Sequence, residues 1–374
     1  MKITIVMGAF LPVPPIMGGA VEKAWFALAQ EFASRGHDVV QISRSVSRLP
    51  AEEVIAGVKH IRVRGYDTPR SLAWLKFLDL MYSTRAIRRA APSDIIVTNT
   101  FWSPLLWRNP KRGKLYVHVA RFPKGQMRFY RHAARLQAPS QSVADAIRAE
   151  VPEARVKVIP YPRPDSPSGS LPEFGEREKT ILYVGRVHPE KGVHLLLEAF
   201  VRLPERVRAK WKLVIVGPME TRLGGGGDGY RARLEELAGK AKDQIDLRGP
   251  IFGTAELATE FRRASLFAYP SLAERGETFG LAALEAMAHG CAVLVSDLAC
   301  FRDFIEEGST GFFFDHRLRD PAQGFSNKIA QILEDESLLA RVAEAGWRKS
   351  AAYALPRVAD QFLDDFVELQ TQCS

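Results

Sequence analysis

Short runs of β-branched and apolar residues recur along this chain, each followed by a helical pattern, and the series is broken once, by proline. The first half reads "KITIVMG", a helix around Val21–Ser34, "DVVQISR", and then strands at "DIIVTN", "KLYVHV" and "RVKVIP". Strands separated by helical segments pair through crossovers, which makes the sheet parallel. Between Pro160 and Glu178 the text becomes "PYPRPDSPSGSLPEFGERE", with five prolines and two glycines, and neither period continues. The rhythm then restarts with "TILYVGR", a helix over about Gly192–Leu203, "KLVIVGP", "QIDLRG", "SLFAYPS" and "AVLVSD". The pattern predicts an α/β chain of two Rossmann-like parallel-sheet domains, each opening on a strand that runs into glycine, at Gly8 and Gly185. Its 374 residues also exceed what one ordinary core holds. The expected boundaries are a first domain over 1–165, a linker over 166–178, a second domain over 179–350 and a terminal helix over 351–374. That helix carries Val358, Phe362, Phe366 and Leu369 on one side, and it either finishes the second domain or returns to brace the first. In open parallel sheets ligands bind beyond the carboxyl ends of the strands, so two such domains are expected to face each other across a cleft.

Charge is unevenly spread. The net charge is +9, but residues 1–165 alone hold 26 Lys and Arg against 12 Asp and Glu, which leaves the remainder net negative. Lys76–Arg135 contains thirteen basic residues and two acids, Asp79 and Asp94, with Trp74, Phe77, Trp102 and Trp107 in or beside it. Such a surface suits an anion, whether phospholipid headgroups, a phosphorylated saccharide or nucleic acid, with a merely solvated basic face as the alternative. Peripheral contact with an anionic membrane is the expectation carried forward. No apolar run reaches the roughly 18 residues that span a bilayer. The opening "MKITIVMG" enters a strand pattern directly, so secretion and membrane crossing are not expected. Cys291, Cys300 and Cys373 are odd in number and lack metal-ligand spacing, as fits reduced thiols in a cytoplasm. The run "GGGGDG" over 224–229 lacks the Gly-Lys-Ser/Thr ending of a phosphate-binding loop and reads as a mobile surface connection.

Two segments carry chemistry. In "YVGRVHPEKG" a strand ends at Gly185 and delivers Arg186 and Lys191 ahead of a helix. Cations near a helix start oppose its dipole unless an anion joins them, which points to a phosphate site. In "GETFGLAALEAMAHG" an apolar helix contains Glu285, eight positions after Glu277. A carboxylate buried without partners costs several kcal/mol, so Glu285 is exposed, paired, or holds something. If the helix starts near Phe279 or Gly280, the backbone N–H groups of Thr278, Phe279, Gly280 and Leu281 stand between the two carboxylates. Carboxylates suit hydroxyls and N–H groups suit phosphate. A nucleotide sugar has both.

"ILYVGRVHPEKGVHLLLEAF", "KLVIVG", "IDLRGPIF" and "PSLAERGETFGLAALEAMAHGCAVLVSD", in this order, resemble the carboxyl-terminal half of family-four retaining glycosyltransferases, enzymes of the two-domain GT-B fold. In the amino-terminal half, "PPIMGGAVEKAWFALAQEFASRGHDV" and "APSQSVADAI" are similar to that family's glycine loop and to the segment before its linker. The resemblance implies transfer of a hexose from a nucleoside-diphosphate sugar to a saccharide or lipid-linked acceptor, in lipopolysaccharide or envelope polysaccharide synthesis. It also implies roles. Arg186 and Lys191 would neutralise the diphosphate, Gly18 and Gly19 would approach it with backbone N–H groups, and Glu277 would hold the transferred sugar. Glu285 would hold the ribose, backbone near Ile251 would face the base, and His118, ending "KLYVHV", would contact the donor sugar. The donor is a co-substrate, and no cofactor and no metal are expected, since there is no Asp-x-Asp motif. No nucleic-acid partner is expected either, and the expected location is the cytoplasm, at the inner membrane face if the acceptor is lipid-linked. Two departures from the family wording stand out: "YPRPD" after "KVIP" replaces an Asn-Gly turn, and "VARFPKGQM" follows His118. The alternatives are a nucleotide-sugar epimerase of the same fold, separated by its product without acceptor, and a non-catalytic nucleotide-sugar or nucleic-acid binding protein, separated by binding without turnover.

Overall fold

The computed structural model describes residues 1–69, 71–164 and 173–371. Cys373 and most of the expected linker, residues 166–172, lie outside the described residues. The chain divides into two units, Met1–Pro162 with Tyr353–Ser374, and Arg163–Ala352. The linker's end is built into the second unit. Phe174–Glu176 forms a 3-10 turn, and the buried Arg177 guanidinium donates to the carbonyls of Ala264 at 2.9 Å and His289 at 2.7 Å.

The first unit has strands β1 (Lys2–Val6), β2 (Asp38–Arg44), β3 (Glu52–Ile55), β4 (Val58–Val63), β5 (Ile95–Thr98), β6 (Lys114–His118), β7 (Arg135–Ala138) and β8 (Val156–Val158). Their order in the sheet is β3-β4-β2-β1-β5-β6-β7-β8. β3 and β4 pair antiparallel through a two-residue turn in which Ala56 and Gly57 both have positive φ, the backbone that matches strand twist in a tight hairpin. One face of the sheet is covered by the helices Leu72–Arg89 and Gln141–Glu150, through Tyr82, Ala86, Val143 and Ile147. The other is covered by Ala20–Ser34 and by the terminal helix Leu355–Thr371, through Trp25, Phe32, Val358, Phe362 and Phe366.

The terminal helix thus belongs to the first core. Phe362 lies 5.1 Å from Trp25 and Phe366 lies 4.9 Å from Tyr116, centroid to centroid. Among these rings sits a buried carboxylate, Asp365, paired with Arg135 at 2.6 Å and accepting from the Tyr116 hydroxyl at 2.9 Å. Arg135 keeps a second partner, Glu368, at 2.8 Å. Removing one side of a buried pair costs about 3–5 kcal/mol. Asp365→Ala is therefore expected to lower unfolding free energy toward the smaller figure, read from the urea midpoint, whereas Asp360→Ala on the exposed face changes it little.

The second unit has β9 (Glu178–Val184), β10 (Lys212–Val216), β11 (Ile245–Arg248), β12 (Ala264–Tyr269), β13 (Ala292–Ser296) and β14 (Phe312–Phe314), in the order β11-β10-β9-β12-β13-β14, parallel throughout. The strand order reverses between β9 and β12, as it does between β1 and β5 in the first sheet. Loops leaving neighbouring strands at such a point turn to opposite faces and open a crevice at the carboxyl edge. Among the described residues, no helix is long and apolar enough to cross a membrane.

Candidate active site

The β9 loop, Gly185–Gly192, and the β12 loop, Pro270–Gly280, leave the sheet at its switch point. They are locked to each other by backbone: Leu272 donates its N–H to the Glu190 carbonyl at 2.8 Å. Gly192, at φ 67°, sits so close that an added Cβ would stand 2.0 Å from the Pro270 carbonyl oxygen. Across this junction the Lys191 ammonium donates to Glu277 at 2.7 Å, with side-chain exposures of 9% and 12%. Beneath them Tyr183 and Tyr269 stack at 5.6 Å, and Lys191 lies 5.7 Å from the Tyr269 ring centre. The Tyr269 hydroxyl bonds the same Glu277 carboxylate; burial first, and then that charge, push its ionisation far above the usual phenol range. It stays a donor.

Arg186 is more open. It donates to the Gly224 carbonyl at 2.9 Å and to Glu190 at 2.5 Å. Burial disfavours the charged form of Glu190, but the Arg186 hydrogen bond and charge outweigh it and hold that carboxyl below its usual range. Gly224 belongs to "GGGGDG", which is not the loose connection the sequence suggests. The N–H groups of Gly225, Gly226 and Gly227 donate to the Glu220, Val187 and Met219 carbonyls at 2.8–2.9 Å. A Cβ on Gly225 would stand 2.3 Å from Met219 backbone. The glycines are there for close packing, and the turn fixes Arg186 before feeding the helix Gly227–Ala238.

The helix carrying Glu285 spans Leu281–Ala288 and begins at Gly280, φ 89°, with no side-chain cap. A Cβ on Gly280 would fall 2.2 Å from the Phe301 ring. Ala283, Leu284, Ala286, Met287 and Ala288 are buried while Glu285 is intermediate, neither sealed in nor fully exposed. The Phe279 side chain is core, 5.3 Å from Phe304, so only its backbone faces the helix start. Thr278 and Leu281 are half-buried. Ile251, half-buried, follows β11 on the same carboxyl edge, next to an exposed Phe252.

In the first unit, Gly18 and Gly19 lie after β1 at φ 78° and 99°, and Gly19 caps the helix Ala20–Ser34. Space beside Gly19 is filled by the buried Glu22 carboxylate, a residue that sequence reading passes over because one acid at a helix start is unremarkable. Burial raises its pKa, opposed by its own backbone N–H and by Arg121. His118 ends β6 as expected but does not project from it. Its ring is enclosed by Trp25 and Tyr161, Nε2 meets the Tyr161 hydroxyl at 2.8 Å, and Nδ1 meets Gln137. Burial lowers its pKa to about 4 against the opposing hydrogen bond that its Nδ1–H donates to the Gln137 amide oxygen. With the unfolded value near 6.5, the unfolded chain takes the proton first. His118 therefore supports the fold fully above about pH 6.5 and progressively less down to about pH 4. The urea midpoint should fall across that window, and His118→Gln should flatten the fall.

Two doubly wound units in one chain, the second with Arg, Lys and paired Glu at its switch point, define a glycosyltransferase of the GT-B class. The family description Glycosyltransferase Family 4 matches residues 17–162, and Glycosyl transferases group 1 matches 172–349. The chain belongs to the family-four glycosyltransferases. Among relatives, it is 28% identical over 319 residues to a lipopolysaccharide 1,2-N-acetylglucosaminetransferase of Salmonella typhimurium, covering 77% of this chain and 78% of that one. It is 34% identical over 171 residues to a phosphatidyl-myo-inositol mannosyltransferase of Mycolicibacterium smegmatis, covering 46% of this chain and 40% of that one. Several other relatives are likewise matched over only about half their length. The fold is that of sucrose-phosphate synthase from Thermosynechococcus elongatus, with a TM-score of 0.77 at 19% identity over the whole of both chains. Among the described residues, no group of three His, Cys, Asp or Glu side chains is placed to hold a metal ion.

Proposed function

We propose that the protein is a retaining hexosyltransferase that takes its sugar from a nucleoside diphosphate and gives it to a saccharide or lipid-linked acceptor of the cell envelope. The observation that carries this reading is the Lys191–Glu277 pair at 2.7 Å, nearly buried at a sheet switch point beside Arg186. A fold gains little from such a pair. A ligand with a diphosphate and hydroxyls gains from both members, the ammonium and guanidinium meeting negative charge as it develops on the leaving group and the carboxylate accepting from sugar hydroxyls. Glu285 would accept from the ribose, the backbone at Ile251 would meet the base, and the helix start at Gly280 would offer N–H groups to phosphate. Arg186 and Lys191 supply the positive charge that a metal supplies elsewhere. Nucleotide release from a panel of UDP-, GDP- and ADP-sugars tests the reading, with the anomeric configuration of the product read by NMR. Release from none of them, or release abolished by a chelator and restored by magnesium, overturns it.

The same reading includes work at a membrane surface. On the helix Leu72–Arg89, Leu72, Trp74, Phe77 and Met81 are exposed, Trp74 stacks on Phe77 at 5.1 Å, and Lys76, Arg85, Arg88 and Arg89 share the helix. Aromatic and cationic side chains together suit an anionic interface. Binding to phosphatidylglycerol vesicles should weaken as salt rises from about 0.1 to 0.5 M; binding indifferent to salt, or none at low salt, rejects it.

A further inference from the structure

At the amino ends of β6, β7 and β8, the edge opposite His118, a cavity of about 470 Å³ opens in the first unit. β6 has five residues, so at roughly 3.3 Å per residue about 13 Å of strand separates the Lys114 end from the His118 end. Reaction chemistry in parallel sheets sits at the carboxyl ends, and the cavity is not part of it. Its inner wall is apolar: Trp107, Leu115, Tyr130, Leu136 and Val151 are each under 5% exposed.

The mouth is cationic. Arg108, Lys114, Arg131 and Arg155 line it, with Glu153 as the one acid among the lining residues. Glu153 pairs with Arg131 at 3.3 Å, which leaves a net positive charge. The group at the mouth is also held in place. Arg108 donates from Nε to the Leu105 carbonyl at 3.0 Å, and His132 bonds the Pro104 carbonyl at 2.9 Å. Like charges gathered around a concavity repel one another unless an anion occupies it, and surfaces kept only for solubility intersperse their signs. The volume falls in the range of small-molecule pockets, larger than a bare anion needs.

We infer that this cavity is a second ligand site, separate from the transfer site, and that it takes a phosphate ester with the phosphate at the Arg108, Arg131 and Arg155 mouth and its substituent against the apolar wall. Guanidinium groups grip phosphate through paired N–H donors, which a diffuse cationic surface does not. The phosphate can arrive on a lipid headgroup or on a soluble molecule.

Calorimetric titration of the full chain at low salt, with monomeric dihexanoylphosphatidate and separately with inorganic phosphate, distinguishes these. A lipid source gives one saturable site for the phosphatidate, tighter than phosphate, and weakened at least about tenfold in Arg131→Ala/Arg155→Ala, as the loss of charged hydrogen bonds requires. A soluble source gives the tightest binding to a soluble ester, phenyl phosphate, titrated alongside, with the same loss in the double variant; equal affinity for all three probes, which leaves the apolar wall without a role, overturns the inference. The double variant keeps the native unfolding midpoint, which separates loss of the site from loss of the fold. No saturable binding of any probe, or binding as tight in the double variant as in the native chain, also overturns the inference.

Discussion

Lys191→Met is expected to lower nucleotide release by a factor of at least about 100, the scale seen when a preorganised group facing transition-state charge is removed. The ammonium is 2.7 Å from Glu277 and nearly buried. Its loss removes positive charge from the leaving diphosphate and also strands a carboxylate whose remaining partner is the Tyr269 hydroxyl. Glu277→Gln does the converse. Because each residue is the other's counter-charge, the two losses should not multiply: the double variant is expected to be no worse than about the poorer single one. Comparing kcat/KM across the four proteins checks this. If the losses multiply, the residues act separately, and the pair is two independent contacts. Breaking so enclosed a pair also costs stability, on the order of 3 kcal/mol, so Tm is measured on the same four proteins.

Gly192→Ala is expected to be a severely damaging substitution in the second unit. The position has φ 67° and ψ 20°, a left-handed backbone that costs a non-glycine residue about 1–2 kcal/mol. The new carbon would also stand 2.0 Å from the Pro270 oxygen and 3.0 Å from its carbon. Both belong to backbone of the facing loop, so the loops bearing Lys191 and Glu277 must part. A loss of roughly 3 kcal/mol or more is expected, at or beyond the upper end of ordinary substitutions, with activity lost in step. Gly308→Ala is the comparison. It too has positive φ, 70°, but nothing lies within 4 Å of its added carbon, so only a backbone term of about 1–2 kcal/mol is expected. Equal effects of the two substitutions would mean the loop junction is soft.

How much of this was legible from residues alone depends on how local the determinant is. β1, β9, β10, β12 and β13 are nearly continuous apolar runs because their strands are buried on both faces of a parallel sheet, and they are plain in the sequence. β3 and β7 are not. "EEVI" is exposed in part, and "RLQA" puts Arg135 and Gln137 inside a sheet, which is tolerable only because Asp365 and the Ile159 carbonyl, distant in sequence, receive them. The same limit governs the site. The loop positions of Arg186, Lys191, Glu277 and Glu285 follow from local pattern. That Lys191 and Glu277 meet across 86 residues does not, nor does the closure of His118 by Tyr161 and Gln137. "GGGGDG" was misleading for a related reason: glycine permits both slack and very close packing, and only the neighbours, here Met219 and Arg186, decide which.

The placement of Leu355–Thr371 on the first core has a consequence for synthesis. Domains usually mature in the order in which they leave the ribosome. Here the segment that shelters Trp25, Phe32 and Tyr116 is translated only after all of Arg163–Ala352. The earlier-made unit therefore stays open on one side while the later-made one can already close. Chains ending at residue 352 and held on the ribosome by an unstructured extension long enough to fill the exit tunnel should show a protease-resistant second unit and a first unit still cut readily, with resistance arriving only once the final helix has emerged.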